Sequence, residues 1–304
     1  MKMAGASVKP RLPIPRKWLI SVLLLVSILI WAAVLTMPDD KLHVSFLDVG
    51  QGDAILIQTP GHQNILIDGG PDPQKIILEL SRKLPFWDRT IDLMVSTQPQ
   101  ADHVTGLVEV LRRYKVKQVL EPGVPYYSSI YHEWLNLMKD EKIKHDIAIA
   151  GQEIDLGNNI KIEVFNPPSE LFQGTSHDVD NNGVVLKLTW GKVSFLFTAD
   201  IRDEAEFELV SQRASLTSTV LKVAHHGSKT STSSQFLAVV DTEVAVISVG
   251  ADNSFGHPSS EVVERLISRL GIENIYRTDR NGTIEFITDG ERLWVKTEDI
   301  SNES

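Results

Sequence analysis

The stretch STQPQADHVTG, residues 96–106, follows a short apolar run and leads into a helical pattern, and it governs the interpretation of the chain. Asp102 and His103 stand near its end, where the N-terminal dipole of a following helix favours negative charge. Carboxylate and imidazole groups are ligands for zinc, manganese and iron. The chain has no cysteine, so any metal must bind through His, Asp or Glu. By itself Asp102 also fits a helix N-cap.

Four further clusters carry Asp or His, three of them at the ends of apolar runs. They are LIDGG at 66–70, FLFTAD at 195–200, LKVAHHGSK at 221–229 and FGHP at 255–258. Functional residues usually lie on loops at strand ends. Because several strand ends here deliver metal-ligand side chains, the pattern predicts that these ends converge on one metal site.

Strand and helix patterns alternate along the exposed part of the chain. Residues 43–49, 54–59 and 64–68 have the composition of a β-meander, with turn signals between them. Helical spacing follows at 73–84, 104–114, 130–140, 203–213, 233–239 and 260–270, with short apolar strands between. No linker or internal repeat divides this region. The sequence predicts an α/β (α+β) fold in which a sheet-on-sheet core is covered by helices.

A run of twenty uncharged residues, WLISVLLLVSILIWAAVLTM at 18–37, precedes that region. A helix of this length is about 30 Å long, the thickness of a bilayer's hydrocarbon core. Residues 1–17 carry five basic residues, and Asp39 and Asp40 follow the run. We therefore expect a single-pass anchor in the cell membrane, with a cytoplasmic N-terminus and an extracytoplasmic main domain. A cleaved signal peptide is the alternative, although the run is longer than a signal core.

The charge balance limits the nucleic-acid partners. The chain has a net charge of -10, and after residue 17 there are 25 basic against 40 acidic residues, which gives -15. Non-specific binding of nucleic acids needs clustered Lys and Arg. Lys222 and Lys229 flank the paired histidines and are candidates for local phosphate contacts, or for solvated strand ends.

The order of the motifs resembles a known family. FLDVGQGDAILI at 46–57, LIDGG, ADHVTGL, FLFTADI, VAHHGSKTS and FGHPS together resemble the metallo-β-lactamase superfamily and, more closely, the hydrolase domain of ComEC-type competence proteins, over about residues 42–297. The resemblance implies a four-layered αβ/βα sandwich and metal-dependent hydrolysis. In ComEC-type proteins the proposed reaction is degradation of the DNA strand that is not imported.

This chain departs from the superfamily in its His-x-His-x-Asp-His motif, which here reads Gln98-Pro99-Gln100-Ala101-Asp102-His103. The resemblance implies that both glutamines replace ligands of the first metal. Near the expected third ligand stand residues 180–183, DNNG, with His177 as a substitute.

The residues for a second metal are retained. The resemblance implies one divalent ion, zinc or manganese, bound by Asp102, His103, Asp200 and a late histidine, His225 or His257. It assigns the catalytic residues as Asp102, His226 and Ser228, and gives roles in orienting ligands or binding substrate to Asp68, Gln98, Gln100 and Lys229. Amide oxygens are tolerable ligands for hard ions such as manganese, so a weakened two-metal site is an alternative.

Three functions stay open. The first is a metal-dependent nuclease linked to DNA uptake, with single-stranded DNA and a separate membrane channel component as partners. The second is a catalytically degenerate module that binds DNA or the uptake machinery. Retained ligands count against it, because buried unpaired polar groups are costly. The third, a small-molecule hydrolase, rests on the fold alone.

Overall fold

The computed structural model describes residues 16–35, 39–175, 177–212 and 214–298. The chain forms two units, Met1–Pro38 and Asp39–Ser304. Of the predicted cytoplasmic segment 1–17, all but the last two residues lie outside the described part. The predicted segment 18–37 likewise ends in residues that are not described.

A helix, α1, covers Arg16–Leu35 in the first unit. Its described side chains, at 17–28 and 31, are exposed. Across the described residues, no helix combines the length and the apolar character that a membrane crossing requires. The predicted single-pass anchor is therefore not supported.

The second unit consists of strands and helices in alternation. Its described strands are β1 Leu42–Phe46, β2 Ile55–Gln58, β3 Asn64–Ile67, β4 Thr90–Ile91, β5 Leu93–Val95, β6 Lys115–Val116, β7 Gln118–Glu121, β8 Lys144–Ile147, β9 Glu153–Gly157, β10 Ile160–Asn166, β11 Val185–Trp190, β12 Val193–Phe197, β13 Val220–Lys222, β14 Val244–Ile247, β15 Ile275–Arg277, β16 Ile284–Thr288 and β17 Leu293–Thr297. Its described helices are α2 Pro73–Lys83, α3 Ala101–Arg113, α4 Ser129–Asp140, α5 Asp178–Asn181, α6 Asp203–Ser211, α7 Ser234–Val240, α8 Ser260–Leu270 and α9 Thr278–Asn281. Short 3-10 turns lie at Ala224–Gly227 and Ile272–Asn274.

Two large mixed sheets form the centre of this unit. The first has the order β17-β16-β1-β2-β3-β5-β7-β8, and the second β15-β14-β13-β12-β11-β10-β9. Strands β3, β5, β7 and β8 are parallel in the first sheet, as are β12 to β15 in the second. Loops that follow parallel strands leave a sheet at one edge, so residues distant in sequence meet there.

Three apolar clusters define four layers. One lies between the sheets and includes Phe46, Phe195, Phe197 and Phe286. A second packs α2, α3 and α4 on the first sheet, with the fully buried Trp134 among its members. A third packs α6, α7 and α8 on the second sheet. Helices thus cover both outer faces of a sheet-on-sheet core, which confirms the predicted αβ/βα sandwich.

Two local predictions differ from the structure. Helix α3 begins at Ala101, not near residue 104, so Asp102 and His103 lie in its first turn. Negative charge stabilises a helix N-terminus, and Asp102 provides it there. Strands β8, β9 and β15 were not predicted, because β8 and β9 are largely polar and exposed and β15 has three residues.

Candidate metal centre

Four side chains converge where strand ends of the two sheets meet. Asp102 and His103 follow β5 of the first sheet, Asp200 follows β12 of the second, and His226 lies in the 3-10 turn after β13. One ligand atom from each lies within 4.8 Å of all the others. These four residues form the ligand cluster.

The spacing of the ligand cluster fits a tetrahedral ion. Asp200 Oδ2 lies 3.2 Å from His226 Nε2 and 3.4 Å from His103 Nε2. Asp102 Oδ2 lies 3.6 Å from His226 Nε2 and 3.8 Å from His103 Nε2. With metal–ligand bonds of about 2.0–2.1 Å, tetrahedral ligand atoms lie roughly 3.3–3.4 Å apart. The cluster therefore has the dimensions of one small divalent ion.

Both imidazoles are oriented through Nδ1. His103 Nδ1 lies 2.9 Å from Asp68 Oδ2, and His226 Nδ1 lies 2.8 Å from the carbonyl of Ser248. Asp68 is fixed in turn by the backbone N–H and hydroxyl of Thr97, at 2.7 and 2.6 Å. Nε2 of each ring then faces the cluster. Metal-binding histidines are usually held in this way by a carboxylate or carbonyl.

One buried ring nitrogen in the cluster lacks an ordinary partner. His226 Nε2 forms no hydrogen bond with any described residue, although it is buried. An orphaned polar atom is costly unless something else satisfies it. A divalent ion in the ligand cluster would satisfy this nitrogen, so the residues fit such an ion.

The electrostatics of the cluster also favour a cation. Burial opposes protonation of His226, but Asp200 and Asp102 outweigh burial and raise its pKa to about 10. For His103 burial is likewise outweighed by Asp68, Asp102 and Asp200, and its pKa lies well above the usual value. The carboxylates thus stabilise the protonated, positively charged form of both imidazoles. A divalent ion supplies the same charge by displacing these protons.

The backbone around the cluster is strained. Asp68, Ala199, His225 and His226 all have positive φ, between 48° and 58°. Non-glycine residues seldom adopt this region, and such strain concentrates at functional sites. Two successive left-handed residues in the turn after β13 direct His226 toward Asp200.

Asp53 and Lys222 form a buried ion pair beside the cluster. Lys222 Nζ lies 2.6 Å from Asp53 Oδ2 and 3.8 Å from Asp200 Oδ1, and both side chains are 1% exposed. The ammonium also donates to the carbonyl of Ala199 at 2.9 Å. Lys222 is therefore an internal cation, and neither alternative considered for it, a phosphate contact or a solvated strand end, agrees with its burial. Asp53 was not predicted; a carboxylate between Gly52 and an apolar strand is the signal that was available.

Gln98 and Gln100 form hydrogen bonds in the place where the resemblance implies a first metal. Gln98 Nε2 lies 3.0 Å from His103 Nε2, and Gln100 Nε2 donates to Asp180 Oδ1 at 2.6 Å. Asp180 Oδ2 in turn accepts from Arg202 Nε at 2.7 Å. Asp180 and Arg202 are site residues that the sequence analysis did not assign individually. His177, the predicted substitute ligand, has Nδ1 3.7 Å from Glu204 Oε1.

Other predicted residues surround the cluster without joining it. His225 Nε2 lies 4.0 Å from Asp200 Oδ2, and its ring is 5.7 Å from that of His257. Nδ1 of each of these two histidines is buried and has no hydrogen-bond partner among the described residues. Ser228 Oγ is bonded to Thr230 Oγ1 at 3.0 Å, and Lys229 is exposed. The structure thus groups His226, in place of His225 or His257, with Asp102, His103 and Asp200.

Comparison with known proteins agrees with this fold. The family description "Metallo-beta-lactamase superfamily" matches residues 47–251. The chain belongs to the metallo-β-lactamase superfamily. A solved metallo hydrolase from the archaeon Ignicoccus hospitalis superposes with a TM-score of 0.52 at 14% identity, covering 80% of this chain and 98% of that one.

Within the superfamily, the chain is similar to competence proteins. It is 29% identical over 269 residues to ComE operon protein 3 of Bacillus subtilis, covering 80% of this chain and 33% of the relative. It is 27% identical over 257 residues to competence protein ComA of Neisseria gonorrhoeae, covering 82% of this chain and 33% of the relative. The chain thus spans about a third of the length of these curated relatives.

Proposed function

We propose that this chain is a metal-dependent phosphodiesterase that cleaves single-stranded DNA during DNA uptake, using one zinc or manganese ion. The observation that carries the proposal is the ligand cluster, with four ligand atoms at the spacing of a single ion. The names of the relatives, which refer to competence, support DNA as the substrate. The domain that acts is the region predicted at about 42–297.

The residues of the site divide the work between holding the ion and handling the substrate. Asp102, His103, Asp200 and His226 would hold the ion, and Asp68 fixes the ring of His103. When bound, the ion supplies positive charge that polarises a phosphoryl oxygen and activates water. His225 lies in the turn after β13, and His257 lies in the loop between β14 and α8. Burial lowers the pKa of each histidine, so both are neutral near pH 7 and able to accept a proton. The exposed Lys229 is available to a phosphate near the site.

The names of the relatives also bear on partners. Because these names refer to competence, we propose that the chain works with a membrane channel component in DNA uptake. A chain of net charge -10 is poorly suited to bind DNA by electrostatics alone, so the substrate would have to be delivered to the metal centre.

The second candidate function is a binding module without catalysis. Hydrogen bonding of Gln98 to His103 and of Gln100 to Asp180 favours it, because these side chains are packed as structural groups. The intact ligand cluster favours the hydrolase. A small-molecule hydrolase is supported by the fold alone.

The deciding experiment measures metal content and nuclease activity together. The chain is purified free of metal, titrated with manganese and zinc, and assayed for cleavage of single-stranded DNA beside the variant Asp102→Ala plus His103→Ala. We expect one ion per chain and cleavage that the double variant loses. If the wild-type chain shows neither metal binding nor cleavage, the binding-module function is favoured. If it binds one ion but does not cleave DNA, the small-molecule hydrolase is favoured.

A further inference from the structure

One arginine beside the metal centre is held in a way that leaves most of its donors unused. Arg202 follows Asp200 by two residues, so their Cα atoms lie within about 7 Å of each other. Its backbone N–H donates to Asn181 Oδ1 at 3.1 Å, and its Nε donates to Asp180 Oδ2 at 2.7 Å. The side chain is only 20% exposed. The guanidinium is therefore fixed in position at the edge of the site.

The terminal nitrogens of Arg202 are the unused donors. No hydrogen bond of either Nη is found with any residue in the described ranges. A guanidinium has five N–H donors in a planar fork, of which Nε accounts for one. The four that remain match two oxygens of a phosphate or carboxylate.

Asp180 joins this arginine to the glutamines of the degenerate motif. One oxygen of its carboxylate accepts from Gln100 Nε2 at 2.6 Å, and the other accepts from Arg202 Nε. Gln100 lies two residues before Asp102 in the chain. One carboxylate thus places the guanidinium next to the loop that carries Asp102.

Polar atoms without partners lie on residues that contact the ligand cluster, Asp180 or one another. Gln98 Oε1, on the side chain bonded to His103, and Gln100 Oε1, on the side chain bonded to Asp180, are buried and have no hydrogen-bond partner among the described residues. The same holds for Nδ1 of His225, whose Nε2 lies 4.0 Å from Asp200 Oδ2, and for Nδ1 of His257, whose ring lies 5.7 Å from that of His225. Unused polar atoms therefore accompany the unused donors of Arg202.

We propose that Arg202 is a substrate-binding residue whose Nη groups bind the non-bridging oxygens of a DNA phosphate beside the ligand cluster. The inference rests on the proposed phosphodiesterase function and adds the group that recognises the phosphate. It assigns phosphate binding to one side chain that is fixed in position, whereas Lys222 is paired with Asp53 in the interior. Asp180 acts as its positioning partner.

The test is equilibrium binding of a fluorescent oligothymidylate to the full-length chain with manganese present. Arg202→Gln removes the charge, and Arg202→Lys keeps the charge without the fork. Arg113→Gln is the matched control, because it removes one positive charge about 16 Å along α3 from Asp102. Manganese stoichiometry is measured for every variant before the oligonucleotide is added, and a methylphosphonate oligonucleotide of the same length serves as the uncharged ligand.

We expect Arg202→Gln to bind manganese like the wild-type chain and to lose about tenfold or more in affinity for oligothymidylate, as for one lost bidentate charge-assisted contact. The slope of log affinity against log salt should fall in magnitude by about 0.7, as for one lost phosphate contact on a single strand. Arg202→Lys should lie in between and Arg113→Gln within about twofold of wild type. The methylphosphonate ligand should not distinguish Arg202→Gln from wild type.

An Arg202→Gln protein that binds both manganese and oligothymidylate like wild type overturns the inference and leaves the hydrolase proposal standing. Loss of manganese in this variant also overturns it, since Arg202 would then support the metal site. If Arg202→Gln fails to fold, Arg202→Lys decides, and unchanged affinity and salt slope count against the inference. A wild-type chain that binds neither manganese nor oligothymidylate refutes both proposals.

Discussion

At the scale of single residues, two adjacent histidines have different surroundings. His226 is 2% exposed, with Nδ1 fixed by the carbonyl of Ser248 and Nε2 within 3.2 Å of Asp200. His225 is more exposed and its ring lies beside that of His257. Sequence pattern could not tell them apart, because the direction of each side chain depends on left-handed φ values at both positions.

This difference gives the first prediction. His226→Ala should lower manganese or zinc affinity by at least about 100-fold, because a metal ligand is lost and such losses exceed those of supporting residues. His225→Ala, its matched neighbour, should keep metal affinity within about tenfold while cleavage falls. Isothermal titration calorimetry with the two metal-free variants measures their metal affinities, and the single-stranded DNA assay measures cleavage. The opposite order of affinities would move the ligand role to His225.

Most other site residues could be predicted from the sequence, for one physical reason. Asp68, Asp102, His103 and Asp200 all follow apolar strands, and strand ends of a layered fold meet at a common edge. Asp53 and Arg202 were not recognised, since a single acid after Gly52 and an arginine before a helix look like ordinary surface residues. Their roles depend on burial and on partners, Lys222 and Asp180, that are distant in sequence.

At the scale of elements, the first turn of α3 is set by close backbone contacts. Gly69 N donates to the carbonyl of His103 at 2.8 Å, and Gly106 N donates to the carbonyl of Gly70 at 2.9 Å. A Cβ added at Gly106 would lie 1.9 Å from the carbonyl oxygen of Gly69, and one at Gly52 would lie 2.3 Å from that of Asp102. Side chains at these positions would push α3 away from the first sheet.

The second prediction follows from this contact. Gly106→Ala should destabilise the fold by about 2 kcal/mol or more, as overpacking of a rigid backbone contact does. It should also weaken metal binding, because Asp102 and His103 move with the helix. Gly61→Ala is the control, since a Cβ there meets nothing closer than 3.6 Å. Urea unfolding compares the two, and equal stabilities would show that α3 can shift without cost.

A second element contact, between β1 and β16, is sensitive to pH. His43 Nδ1 lies 2.7 Å from Glu285 Oε1, Nε2 lies 2.8 Å from Asp39 Oδ1, and Lys83 Nζ lies 3.1 Å from Glu285. Burial opposes ionisation of both partners, but their attraction raises the pKa of His43 and, with Lys83, lowers the pKa of Glu285 to about 2.

The third prediction concerns stability against pH. The stabilisation from His43 is complete below its ordinary pKa of 6.5 and is lost as pH rises through the raised value. That from Glu285 is complete above 4.5 and is lost as pH falls toward about 2. His43→Gln should therefore cost about 1 kcal/mol of unfolding free energy at pH 5.5 and less at pH 9. His132→Gln, on the exposed face of α4, is the control; an equal loss for His43→Gln at both pH values would contradict the assignment.

The elements that sequence pattern missed share a physical cause. Strand β8 reads Lys-His-Asp-Ile with three exposed positions, and β9 alternates exposed acids with apolar residues at the edge of its sheet. Strand β8 has no apolar periodicity and β9 alternates over only five residues, and the pairing of such edge strands depends on a neighbour already in place. Strands with a buried face, such as β2 and β3, were predicted within one or two residues.

At the scale of the whole molecule, negative charge lies in the interior as well as on the surface. The chain carries a net charge of -10, and Asp53, Asp68 and Asp200 are buried within one region of the large unit. Mutual repulsion of buried carboxylates opposes folding unless cations compensate. Lys222 supplies one, and protons on the two histidines or a divalent ion supply the rest.

The fourth prediction is that metal removal lowers stability. At a free-ion concentration 100 times the dissociation constant, binding adds about 2.7 kcal/mol to the unfolding free energy. For a domain of this size that corresponds to roughly 5–10 °C in Tm. Differential scanning calorimetry with manganese and with EDTA measures the shift, and Asp200→Asn should abolish it. A shift that survives in Asp200→Asn would place the stabilising ion elsewhere.

The glycine contacts of α3 order two of the metal ligands before an ion binds. The backbone that carries Asp102 and His103 is immobilised against Gly52 and Gly69 when the chain folds, so its conformational entropy is lost at that stage. An arriving ion then finds the ligands already placed and need not order a loop. Folding therefore bears the entropic cost of the site, and the free energy of coordination is available for affinity.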